Sequence, residues 1–130
     1  MSTVEFALAE DVVLAWTKSL NLTPKVFLDV EEIKPPVILL KRIAGGPIGG
    51  GVPADYIRVV YDVWATNRPH AQTLTAELMS AIESLAWDGD VRLDSGIIKA
   101  GETVSVAWLP DAVKKVPRYQ IGARFIVTKG

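Results

Sequence analysis

Cysteine is absent from the 130 residues, which removes disulfides, thiolate metal sites and cysteine nucleophiles at once and fits folding in a reducing compartment. Histidine occurs once, as His70. A histidine base needs a nucleophile and an orienting acid beside it, and no such partners are assignable along the chain. Neither sign of charge dominates: fourteen basic residues face fifteen acidic ones, for a net charge of −1. Dedicated nucleic-acid binders carry a basic excess that displaces counterions from phosphates, and this composition has none. The longest strongly apolar run, PPVILL, is far below the roughly 20 residues of a membrane span. The opening MSTVEFALAEDVV sets acids among its apolar residues without a basic start, unlike a secretory signal. A protein that is soluble and intracellular when made is expected, with no membrane partner.

What is present suits a folded chain. Hydrophobic residues make up 49% and charged residues 22%, so one domain spanning 1–130 is expected. Val12, Val13, Trp16 and Leu20 recur at helical spacing within a first helix, Phe6 to Leu20, which Pro24 closes. Pro35 and Pro36 precede an apolar strand, Val37 to Ile43. Gly45 to Pro53, GGPIGGGVP, holds five glycines and two prolines and is expected to be a loop. From Asp55 to Ala65 the chain alternates: Ile57, Val59, Tyr61 and Val63 share one face, and Tyr56, Arg58, Val60, Asp62 and Trp64 the other. Ala71, Leu74, Leu78, Ile82 and Leu85 mark a second helix, about Pro69 to Ala86. Thr66 or Asn67 caps it, and Asp88 to Asp90 end it. GIIKAGETVSVAWLPD reads as a strand interrupted near Gly101. RYQIGARFIVTKG is a final strand with Ile121, Ala123, Phe125 and Val127 on one face. The expected fold is α+β: a small antiparallel sheet with two main helices on one side, in the order α-β-β-α-β-β.

Motifs that carry chemistry are few. The glycine-rich segment runs into a strand and lacks the Lys–Ser/Thr of a triphosphate cradle, while Pro47 and Pro53 remove donors. Glu31–Glu32 and Asp88–Asp90 lack the alternating acids and distal glutamate of a calcium loop and read as solvated turns. No catalytic residue, metal ligand or cofactor is assigned. Aromatics are more informative. Trp16, Trp64, Trp87 and Trp108, with Tyr56, Tyr61 and Tyr119, are many large rings for this length. Tyr56 and Trp64 share the mixed face with Arg58, and these residue types dominate interface energetics. Ile48 and Val52 would be wasted on solvent, so the glycine segment, with Gly46 and Gly50, is expected to order against a neighbouring subunit.

YIRVVYDVWATNRPHAQTLTAELMSAI resembles the tail terminator proteins of long-tailed bacteriophages, particularly those of actinobacterial hosts. An aromatic-rich D.W strand leads into a helix with alanine and leucine at core spacing. The likeness extends to the first helix with Trp16 and to PPVILLKRIAGG as a strand entering a glycine-rich segment. It closes with VPRYQIGARFIV, a last strand introduced by Arg118 and Tyr119. It implies a structural virion protein without catalysis or cofactor, present in the host cytoplasm during assembly. Copies would close into a ring, commonly hexameric, at the head-proximal end of the tail. That ring would cap the tube of major tail protein, end its polymerisation and offer a surface to the head connector or stopper for head–tail joining. DNA would meet it only in passage. Subunit contacts are then expected at Gly46, Ile48, Gly50, Val52, Tyr56, Arg58, Trp64, Arg118 and Tyr119. Other readings are a head-completion or minor tail protein and, from another class, a small α+β ligand-binding or enzymatic domain.

Overall fold

Strict apolar alternation in the third strand and helical spacing around Leu78 set the two layers of the fold, a sheet and the helices it carries. The computed structural model describes residues 3–22, 25–28, 32–49, 52–86, 89–111 and 115–128, with the backbone alone at 3–8, 49, 52 and 53. In chain order these form α1 (Thr3–Ser19), β1 (Lys25–Phe27), β2 (Val37–Gly49), β3 (Val52–Trp64), α2 (Arg68–Ser84), β4 (Val91–Leu93), β5 (Gly96–Trp108) and β6 (Arg118–Thr128). The strands make one six-stranded sheet in the order β1-β2-β3-β6-β5-β4. Pro24, Glu31, Gly50, Trp87 and Asp88 lie outside the described residues.

The α+β class holds, but the small sheet and its simple element order need correction. β1 and β4 add a short strand at each edge, and β1 runs parallel to β2. Strands of three residues are too short for alternation to register in sequence. A second correction concerns the glycine-rich segment. The expected loop from Gly45 is instead ladder: Gly45 pairs with Ile57, Gly46 with Tyr56, Pro47 with Asp55 and Gly49 with Val52. Glycine and proline weaken a strand but do not forbid one at an edge, where one side of the backbone needs no partner. The partner here, β3, is strongly β-forming. A third correction is at Gly101, where β5 continues unbroken with bulges on either side. A Cβ at Gly101 would lie 2.6 Å from a Leu85 methyl and 3.0 Å from the Phe125 ring. The glycine therefore serves close packing and does not end the strand.

Both helices share one core with the same face of the sheet. Val12, Val13 and Trp16 of α1 and Ala71, Leu74, Leu78 and Ile82 of α2 are buried with Leu85. They meet Ile57, Val59, Tyr61 and Val63 of β3 and Ile121, Ala123, Phe125 and Val127 of β6, all buried. The alternation and helical spacing in the sequence thus mark the core side correctly. α1 touches every strand, including β1 and β4 at opposite edges, so the sheet curls around it. Trp16 meets Phe125 edge-on at 5.6 Å between ring centroids. α2 is capped by Asn67, whose Oδ1 accepts from the His70 backbone N–H at 2.9 Å, with Pro69 in the first turn.

One polar joint crosses this core. The Thr17 hydroxyl donates to the Val13 carbonyl at 2.8 Å, so the fully buried Tyr61 hydroxyl donates to Thr17 Oγ1 at 2.7 Å. Burial pushes the Tyr61 hydroxyl above its ordinary range. Two outcomes are expected. Leu78→Ala should cost about 2–5 kcal/mol in chemical denaturation, since the side chain is fully buried. Tyr61→Phe should cost about 1 kcal/mol at neutral pH through the lost bond. As pH rises above about 10, the unfolded chain ionises this tyrosine while the native one holds its proton, so stability is lost. Urea midpoints should therefore fall more steeply above that pH in the parent than in Tyr61→Phe.

Candidate functional site: the sheet edges and the helix-free face

β3 faces two ways, and its second side carries the mixed residues. Asp62 is the most buried of them, with its side chain 1% exposed. Lys41 Nζ lies 2.8 Å from Oδ2, Gln120 Nε2 donates to Oδ1 at 3.1 Å, and Arg118 Nη1 stands 4.0 Å from Oδ1. Two strands, β2 and β6, thus converge on one carboxylate of β3. Beside it Trp64 packs with Val37 and Leu39, covered by Ile33 and Val116. The Arg118 guanidinium lies 4.8 Å from the Trp64 ring centroid, a cation–π distance. The segment bearing Val116 is held down by backbone bonds from Ala65 to Pro117 and from Asp111 to Val116. Arg118 is further fixed by its Nε, which donates to the Leu109 carbonyl at 2.9 Å.

These facts sort the residues expected at a subunit interface. Trp64 and Gly46 are buried within the subunit. Arg118 stacks on Trp64 and is half-buried, while Tyr119 lies on the helix side, 4.8 Å from Trp108 between ring centroids. Ile48, Tyr56 and Arg58 are exposed. Val52 pairs with Gly49, its side chain lying outside the described residues, as does Gly50 entirely. Trp64 belongs to a small second apolar layer on the helix-free face. The cover comes from Ile33 and Val116, because both helices occupy the opposite face.

His70 sits on α2, on the other side of the sheet from Asp62 and Arg58. Among the described residues no group of three or more His, Asp or Glu side chains is placed to hold a metal. A depression of about 300 Å³ lies between the end of α1 and β1, and its ionisable lining is Lys18 and Lys25.

No protein-family model and no curated protein matches the chain. The geometry of the sheet itself marks the candidate site.

That geometry favours the two long edges. β1 covers only Val37 to Leu39 of β2, and β4 covers only Gly96 to Ile98 of β5. Among the described residues, no strand pairs with residues 40–49 of β2 on the side away from β3, or with 99–108 of β5 on the side away from β6. Sequence reading misses both, because an edge is a property of pairing and leaves no mark on alternation. The exposed large apolar residues follow these edges. Ile43 and Ile48 lie on β2, Val104 and Val106 on β5, Leu109 just after β5, and Phe27 and Leu28 on or after β1, leaving Tyr56 apart. Scattered exposed apolar residues are ordinary on a monomer; their gathering along two unpaired backbones is not. The Asp62 cluster, by contrast, is structural. Asp62→Ala should destabilise the fold by about 1–3 kcal/mol through lost charge-assisted bonds, measurable by urea denaturation.

Proposed function

We propose that this chain is a structural subunit of a bacteriophage tail, assembling into a closed ring that caps the tail tube and prepares it for joining to the head. The observation that carries this reading is the pair of open, apolar sheet edges on opposite sides of one subunit. A closed ring requires two different patches on each copy, related by a rotation that returns to the start.

Three further features support the reading. The sequence likeness to tail terminators covers nearly the whole chain in order. Near-neutral charge suits a ring through which DNA passes without being held, since a strong basic excess would bind phosphates. The buried Asp62 cluster and the Trp64 layer stiffen the helix-free face, and a rigid face presents its edges with little ordering cost. No cofactor is needed. The partners are further copies of the chain, the major tail tube protein and the head connector or stopper.

The test uses purified chain and polymerising tail tube protein. Light scattering after size exclusion should show a discrete oligomer, free or once tube is present. Electron microscopy should show tubes that stop growing and carry added mass at one end. Tubes of unchanged length distribution with no bound chain would rule the reading out.

A further inference from the structure

We infer that neighbouring copies join head to tail by pairing the open edge of β5 on one copy with the open edge of β2 on the next, as an antiparallel continuation of the sheet. The inference rests on the proposed ring and assigns its interface. An unpaired strand edge is a row of backbone N–H and C=O groups whose natural complement is another extended strand. Among the described residues this chain carries two such rows, the β5 row with its Thr103 N–H already taken by the Glu83 carboxylate at 3.1 Å.

Several observations single out a second copy as that strand. The windows are of equal length, 40–49 and 99–108. β2, β3, β6 and β5 pair antiparallel in succession, so β2 and β5 run in opposite directions. A copy placed alongside in the same orientation therefore brings β5 antiparallel to β2 with no need to invert the subunit. The short strands cover opposite ends of the sheet: β1 lies at the level of Trp64 and β4 at the level of Val127. A common stretch remains open on both edges.

The bulges supply the register. Each edge strand has two, at the same spacing: around Ile43 and Ile48 in β2, and around Lys99 and Val104 in β5. Ladder rows across the sheet place the central pair. The row Arg42–Val59–Ala123–Thr103 lies between the rows Lys41–Val60–Gly122–Ser105 and Ala44–Arg58–Arg124–Glu102. Ile43 sits on one side of that middle row and Val104 on the other, one row apart at opposite edges, and they are 58% and 45% exposed. A bulge adds local twist, so an isolated bulged edge pairs poorly with a regular strand. Two edges whose bulges have the same spacing share a shape and can follow one another when copies are staggered by one row, with Ile43 of one copy against Val104 of the next.

The absence of cysteine makes the test clean. Ile43→Cys, Val104→Cys and Val106→Cys are prepared separately as full chains, each checked for native circular dichroism. Oxidation of the assembled protein should link Ile43→Cys chains to Val104→Cys or Val106→Cys chains when the two are mixed, and should link no variant to itself. Val104→Lys with Val106→Lys should raise the concentration for assembly by about tenfold or more, with folding unchanged because both sites are exposed. An oligomer that forms only same-variant links, or none, overturns the edge pairing while leaving the ring intact. A chain that stays monomeric at high concentration and on tail tubes overturns both.

Discussion

The structure hangs on the two-sidedness of β3. Because successive side chains of a strand point to opposite faces, one run of residues supplies Ile57, Val59, Tyr61 and Val63 to the helix side and Asp62 and Trp64 to the other. The helix side is a continuous apolar core under α1 and α2. The reverse side must bury a carboxylate and an indole without a helix to cover them. It does so by drawing Lys41 and Gln120 from the flanking strands and stacking Arg118 on Trp64. A slip of one residue in the β3 register would exchange the two sets and destroy both layers.

That central strand also explains why the edges matter. With β3 and β6 at the middle and helices committed to one face, the long strands β2 and β5 are left at the flanks. Their short companions, β1 and β4, cover only one end of each. The bulges, Pro47 and the lysines on these edges are the usual devices against unwanted pairing. The Thr103 N–H is taken by the Glu83 carboxylate at 3.1 Å, a further local guard. Such protection is selective. It discourages a regular foreign strand, while the proposed pairing would need a partner strand with bulges at matching spacing, as β2 and β5 have.

The elements with strong period were legible before any coordinates. Leu74, Leu78 and Ile82 sit where helical spacing puts them, and Ile121, Ala123, Phe125 and Val127 line the core as alternation requires. The failures have a common cause. Gly45 to Gly49 looks like a loop because glycine and proline lack β-propensity, yet a strong neighbouring strand recruits them into a ladder. Gly101 looks like an interruption because the need for a missing Cβ comes from Leu85 and Phe125, one on another element and one on another strand. Trp64 looks available for contact because its burial by Ile33, Val116 and a folded-back segment is set by residues distant in sequence.

The amino-acid order alone therefore determined which side of each long element meets the core, where α2 begins under its Asn67 cap, and the lack of thiol chemistry. These follow from local periodicity, capping and composition, all readable within a few residues. Only tertiary structure decided which strands are neighbours, where the sheet ends, and hence which backbone groups and apolar side chains are left for a partner. Pairing joins residues far apart along the chain, and an edge exists only by virtue of what does not lie beside it.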